Sequence, residues 1–229
     1  MLLSAIYTVN FSIWYDETMS MNKEILADLL EFYQKLLIPY MKIRRDMPFP
    51  TESERDETDG EHAFTLAMIA LSLNERLRRN LDSGKIAKYA LIHDLVEVHA
   101  GDTSVKAPED EHVLKETREI EAYQKIKEDF ATTVPWVHEM IAAYEEKSDP
   151  ESKFVYIVDK YAGALSWLAG EGDNWKRYYP QEDGSLYHRV VERLRAKVIR
   201  FDDPEMLELF DLIHDELEQK RTSYFEQSE

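Results

Sequence analysis

From Met21 onward the apolar positions of the chain recur with a helical period. Ile25, Leu26, Leu29, Leu30, Tyr33, Leu36 and Leu37 share a face until Pro39 interrupts it, which predicts a first helix. Met41 to Asp59 breaks the pattern and reads as a charged, proline-bearing connection, with Arg44, Arg45 and Arg55 as solvated side chains when each is taken singly. Asp59-Gly60-Glu61-His62 opens a second helix, with Asp59 as its N-cap and Phe64, Leu66, Ala67, Ala70, Leu71 and Leu73 as its buried face. After a turn at Leu81–Gly84, the residues Leu91, Ile92, Leu95, Val96 and Val98 wrap most of a helix that runs to Gly101, its C-terminal cap. Pro108 to Phe130 predicts a charged amphipathic helix, and Pro135 starts another that Ser148-Asp149-Pro150 stops. Glu151 to Ala169 carries a strong stripe of Phe154, Val155, Val158, Ala162, Leu165 and Leu168. Gly170 to Gly184 reads as an ordered surface loop, with a lid as the alternative, and two helices follow at Tyr187–Arg200 and Pro204–Lys220.

No repeat and no sheet-forming alternation interrupts this order, so the expected class is all-α. The 229 residues fit one domain, placed at 21–222, with an N-terminal extension at 1–20 and a polar tail at 223–229. The extension is apolar but has no basic residue ahead of it and is too short for a comfortable span, so it is expected to pack on the domain; Met19 and Met21 are alternative starts.

Charge and cysteine content narrow the function. The 46 acidic against 28 basic side chains leave a formal charge of -18, which disfavours a nucleic-acid polymer while leaving room for a small phosphate ester in a locally cationic pocket. The absence of Cys removes disulfides, thiol nucleophiles and cysteine-bound zinc, and fits a reducing cytoplasm with no membrane partner.

The buried helix ending at Gly101 holds the costliest residues. His93, Asp94 and Glu97 fall toward one side of it, and burying them without partners costs several kcal/mol. A bound cation offsets that cost; so does a salt-bridged histidine inside a helical core, and these residues alone leave the two readings level. His62, in the first turn of its helix, and Asp159, at the border of an apolar stripe with no Lys or Arg four residues away, extend the set. Other chemistries fail: His138-Glu139 lacks a second histidine four residues after the first, Gly170-Glu171-Gly172 continues into no dinucleotide fingerprint, and there is no Gly-x-Ser-x-Gly elbow. His99, His112, His188 and His214 read as surface or helix-end residues. Two imidazoles and two carboxylates suit Mn, Fe, Co, Ni or Zn and poorly suit Ca.

In the order His62, His93-Asp94, Asp159 the chain resembles the HD-domain metal-dependent phosphohydrolases. Glu61-His62, His93-Asp94-Leu95-Val96-Glu97, Gly101-Asp102 and Val158-Asp159-Lys160 look like the branch that contains 5'-deoxynucleotidases, a likeness that runs from about Arg44 to Ala169. The resemblance implies a single helical HD-domain bundle with extra flanking helices, and a homodimer. It implies His62, His93, Asp94 and Asp159 as metal ligands, Glu97 as the residue that positions or deprotonates the attacking water, and Asp102 on a sugar hydroxyl. An Arg ahead of the first His binds phosphate in that family, and here Arg44, Arg45 and Arg55 compete for the role. One departure stands out: the family's Arg is followed by Trp-Pro, and this chain has Asp46-Met47-Pro48.

The implied substrate is a nucleoside 5'-monophosphate, with deoxy forms preferred. A divalent cation there would neutralise phosphate charge and bring the pKa of a water to about 7, while Glu97 takes or passes a proton. The alternatives keep the metal and change the phosphoester to a cyclic nucleotide, a nucleoside triphosphate or a guanosine polyphosphate. A further alternative drops catalysis for a helical interaction module. Asp102, and the lack of extra basic residues for a longer phosphate chain, favour the monophosphate.

Overall fold

Pro39 shapes the first helical segment. A proline ring clashes with the carbonyl four residues back, here Lys35, and the chain answers with a wide π turn at Tyr33–Leu37 between α1 (Lys23–Phe32) and α2 (Ile38–Tyr40). The computed structural model describes residues 23–170, 173–180 and 184–226, so the extension assigned to 1–20 and the end of the tail at 227–229 lie outside the described residues.

The charged connection is a correction to the sequence reading. It forms an antiparallel hairpin of β1 (Arg44–Phe49) and β2 (Glu52–Thr58), with Arg44 opposite Thr58 and Phe49 opposite Glu52. Pro48 cannot donate to the ladder, and the register is irregular on both sides of it. This two-stranded sheet is the only one among the described residues, and the class remains all-α.

Helix α3 (Asp59–Arg76) is capped one residue earlier than expected, by Thr58. Thr58 accepts from the Glu61 amide at 3.2 Å and Glu61 accepts from the Thr58 amide at 2.9 Å, a reciprocal capping box that leaves Asp59 buried inside the first turn. The helix expected to run to Gly101 is broken. Helix α4 (Ser83–Ile92) ends before His93, three-residue turns carry the chain past Asp94, and α5 (Glu97–Ala100) closes with the Gly101 amide on the Glu97 carbonyl at φ +75°. The carbonyl of Ala90, which a continuing helix would give to the amide of Asp94, instead accepts from His93 Nδ1 at 2.9 Å.

The remaining helices are α6 (Glu109–Phe130), α7 (Pro135–Glu146), α8 (Pro150–Ala169), α9 (Asp173–Tyr178), α10 (Ser185–Ile199) and α11 (Pro204–Glu226). Asp149 caps α8 through the Ser152 amide at 2.8 Å, as the Ser-Asp-Pro stop suggests. Helix α11 runs to Glu226, past the expected end at Lys220 and into the segment read as tail.

Helices α3, α4 and α8 pack on one another through Leu66, Ala70, Ile86, Ala90, Val155 and Val158, all buried. Each large aliphatic among them contributes about 1.5–3 kcal/mol of burial, enough to hold three polar-bearing helices face to face. Within the stretch read as a surface loop, the aromatic residues belong to the core instead. Trp175, Tyr178 and Tyr179 of the α9 region are buried around Trp167 of α8, with ring centroids 5.0–5.5 Å from it. Aromatic packing of this kind, edge-on for Trp175 and Tyr179 and tilted for Tyr178, ties α9 and the hairpin beside it to α8. No helix among the described residues is long and apolar enough to cross a membrane.

Candidate metal centre

Two helices and the turn after α4 bring the predicted residues together. His62 comes from the first turn of α3, His93 and Asp94 from the turn that follows α4, and Asp159 from the middle of α8. The two imidazole rings lie 5.2 Å apart between centroids. His62 Nε2 is 3.0 Å from Asp159 Oδ1, and His93 Nε2 is 3.8 Å from the same oxygen and 3.0 Å from Asp94 Oδ2. One nitrogen from each ring and one oxygen of Asp94 lie within 4.8 Å of one another.

The protons decide what this cluster is. A carbonyl only accepts, so the Ala90 contact puts the His93 proton on Nδ1 and turns the Nε2 lone pair into the cavity. Nε2 is fully buried and makes no hydrogen bond, although Asp94 Oδ2 is within contact distance. Burial alone would push Asp94 up, but His93, Arg45 and Lys115 outweigh it and hold the carboxyl well below the usual range. In the neutral ring a lone pair faces this anionic oxygen, so the pair calls for positive charge between them, either a bound cation or a second proton on the ring. Asp159 is likewise held well below its usual range, with burial overcome by Lys160, His62 and His93. His62 is raised: burial and Arg45 lower it, and contacts with Asp159 and Glu57 prevail. Its Nδ1 lies 3.5 Å from Glu57 Oε2, which is how a carboxylate orients a metal-binding ring. His62, His93 and Asp94 thus offer two nitrogens and one oxygen to a divalent transition ion, with Asp159 Oδ1 beside the His62 nitrogen.

Around this cluster opens a cavity of about 840 Å³. Of the three competing arginines only Arg45 lines it, donating to Asp94 Oδ2 at 2.7 Å. Arg44 donates to the Asp56 carbonyl, and Arg55 binds Glu52 and Glu61 while lying over the Phe49 ring at 3.9 Å. Glu97 is 2% exposed; Oε1 lies 3.3 Å from Lys115 Nζ and Oε2 has no partner. Burial, Asp94 and Asp102 raise its carboxyl well above normal against Lys115 and Arg45. Asp102 lines the cavity and accepts from the Asp46 amide at 3.1 Å, which ties it to the strand that carries Arg45. Met47, where the resembling family has Trp, also lines the cavity and packs against Gly163 of α8; a Cβ at Gly163 would meet its methyl at 2.8 Å.

Sequence reasoning missed several residues. Glu57 was part of the presumed connection, and its signal, alternate positions of the hairpin turned inward, is masked by charge on both faces. The expectation that no further basic residues serve the site is corrected: Lys115, Lys147, Lys160, Arg193, Lys197 and Arg200 all line the cavity, brought in from α6 to α10. His214 is not a surface residue but is buried, with Tyr187 Oη at 2.9 Å from its Nδ1.

A family profile described as HD domain matches residues 42–199. The chain is similar to the 5'-deoxynucleotidase HDDC2 of Xenopus laevis, with 25% identity over 191 residues covering 82% of this chain and 87% of the relative. It is also similar to the 5'-deoxynucleotidase hdd1 of Schizosaccharomyces pombe, with 23% identity over 112 residues, 47% of this chain and 55% of the relative. Its fold matches the crystal structure of a predicted metal-dependent phosphohydrolase from Magnetospirillum magnetotacticum MS-1 at a TM-score of 0.66 and 24% identity, covering 87% of this chain and 97% of that one. At that identity the likeness is one of fold.

Proposed function

This chain belongs to the HD-domain family, and on that premise we propose that it is a metal-dependent phosphohydrolase that releases phosphate from nucleoside 5'-monophosphates, with deoxynucleosides preferred. The observation that carries the reading is the buried, unbonded Nε2 of His93 facing the Asp94 carboxylate. His62, His93, Asp94 and Asp159 would hold a divalent ion of the Mn, Fe, Co, Ni or Zn kind. When bound, such an ion supplies positive charge at the phosphoryl group and acidifies water.

The chain's own residues do the rest. Hydrolysis forms a bond from the water oxygen to phosphorus and breaks the bond from phosphorus to O5', so one proton must leave the water and one must reach O5'. Glu97 is the residue we assign to that transfer. Burial, Asp94 and Asp102 raise its carboxyl well above the usual range, and Oε2 is the oxygen that Lys115 does not hold, so Glu97 can pass a proton to O5' and take one from the water. Arg45 brings fixed positive charge from the hairpin for the remaining phosphate oxygens. Asp102 is the acceptor for a sugar hydroxyl. Two relatives named 5'-deoxynucleotidase support the choice of sugar. The exposed row Ile25, Leu29, Leu30 and Tyr33 on the first helical segment supports a homodimer.

The test is phosphate release from paired ribo- and deoxynucleoside 5'-monophosphates, with wild type and Asp102→Asn. The reading expects deoxy substrates to be favoured and the variant to lose most of that preference through KM. Equal rates for both sugars in wild type would remove the sugar preference from the account, and no release from any 5'-monophosphate would overturn the substrate.

A further inference from the structure

The cavity has a second charged wall, which touches the metal centre only through the Lys160–Asp159 pair among the described residues. It is made where the end of α7, the middle of α8 and the end of α10 converge on Tyr156. Lys160 Nζ lies 4.4 Å from that ring's centroid, Lys147 Nζ 4.7 Å and the Arg200 guanidinium carbon 4.8 Å. An aromatic face attracts cations without cancelling their charge, so three cations gather there and remain cations. Lys197 lines the same cavity from α10.

Neutralising partners are scarce on this wall. Lys160 pairs with Asp159, and Lys147 donates to the Tyr144 carbonyl of its own turn. The Arg200 guanidinium lies over the rings of Tyr156 and Phe201, and neither it nor the Lys197 ammonium makes a hydrogen bond or ion pair among the described residues. The carboxylates that act on the wall are Glu145, Asp159 and Asp94; they raise Lys160 against its burial but do not balance Lys147 or Lys197. Burial, with Lys160 and Arg200, lowers Lys147 to about 8, and burial, with Lys160, Lys115 and Arg193, lowers Lys197 to about 8. In a chain of charge -18, cations this crowded and this poorly paired store a local positive potential.

We propose that Lys147, Lys160, Lys197 and Arg200 form a second anion subsite, which takes a phosphate group other than the one at the metal centre. Four cations against one directly paired carboxylate call for a multiply charged oxyanion, and phosphate meets that demand where a carboxylate does not. The metal centre and the wall line one cavity of about 840 Å³, within the size range of clefts that enclose a whole small molecule. The phosphate has two sources: a second phosphate on the same nucleotide, or free orthophosphate. The assignment to a substrate subsite rests on the phosphohydrolase reading, whereas the anion binding itself does not.

The experiment separates these by measuring binding calorimetrically on the full chain with metal chelated. Orthophosphate, a deoxynucleoside 5'-monophosphate and the matching 5'-diphosphate are titrated into wild type, Lys197→Met/Arg200→Met and Lys197→Arg. Both substituted side chains reach solvent, and circular dichroism verifies the fold of each variant. The diphosphate is expected to bind about tenfold or more tightly than the monophosphate in wild type, as one or two charge-assisted bonds allow. The double Met variant should erase that margin and Lys197→Arg should keep it. Orthophosphate that binds wild type and not the double variant, with no margin for the diphosphate, also upholds the subsite and identifies its occupant as free phosphate. Anion affinities that are the same in wild type and the double variant overturn the proposal. Because no turnover is involved, wall-dependent binding by a protein that later fails to release phosphate with metal would sink the hydrolase reading alone.

Discussion

His93 Nε2 and Asp94 Oδ2, on adjacent residues, face each other at 3.0 Å with no hydrogen bond between them. A continuous helix would not produce this contact. It follows from the break after Ile92, which lets the His93 ring give its proton to the Ala90 carbonyl behind it. With the ring neutral the contact is unfavourable until a cation sits between the two atoms, so metal binding and folding are linked. Metal-stripped protein is therefore expected to gain stability when a divalent transition ion is added, by about 2.7 kcal/mol at a hundredfold excess over Kd. Thermal unfolding with and without chelator checks it. His93→Ala should abolish the gain, and an equal gain in that variant would place the ion elsewhere.

Glu97 is buried beside the cluster, and the proposed function gives it the proton transfer and not the ion. Glu97→Gln keeps the shape and removes the proton transfer. Steady-state kinetics should show kcat reduced about 10²- to 10⁴-fold, with the metal-induced thermal shift retained. Loss of metal binding in this variant, in place of loss of turnover, would make Glu97 a ligand.

Gly170 is where the hairpin tip meets the end of α8. A Cβ there would lie 2.6 Å from the Pro50 carbonyl and 2.3 Å from the Asn174 side chain, and the carbonyl belongs to backbone that cannot rotate away. Gly170→Ala should cost about 1–3 kcal/mol, the usual cost of overpacking, and shift the strand that carries Arg45. The signature is a lowered Tm together with a raised KM. A variant as stable as wild type would mean that the hairpin yields freely.

His214 sits between Tyr187 and Phe210, with ring centroids 5.9 and 4.3 Å away, and burial lowers it to about 4. A histidine kept neutral in the fold binds its proton more readily when unfolded. Its contribution is therefore complete above pH 6.5 and is lost as pH falls toward 4, up to about 3 kcal/mol. Urea unfolding of wild type and His214→Gln between pH 4 and 7 measures this, and the variant should show a flatter pH dependence. Parallel curves would mean that other groups govern acid unfolding.

The helices were legible wherever the sequence punctuates them, because Pro135, Pro150 and Pro204 occupy first turns and Gly101 takes the positive φ that ends α5. The hairpin was not. Its strands are charged on both faces, since one faces solvent and the other faces the polar site, so no alternation of apolar residues marks them. The break at His93 was hidden for a similar reason: the apolar period continues through it, and only the Ala90 contact, which no pattern encodes, gives it away. His62, His93, Asp94 and Asp159 were readable as polar residues on apolar faces. Lys147, Lys197 and Arg200 look like ordinary solvated charges in sequence, and only the convergence of α7, α8 and α10 sets them beside one another. His214 was misread because a lone histidine on an amphipathic helix carries no mark of its buried partner Tyr187.

The most direct measurement is phosphate release from a deoxynucleoside 5'-monophosphate by metal-stripped protein, as Mn, Co, Zn or Mg is titrated back and the bound metal is counted. The account predicts no release before metal, release that rises with the amount bound, and none from His93→Ala at any concentration. Release at full rate without metal, or none from protein that has bound metal, would contradict it.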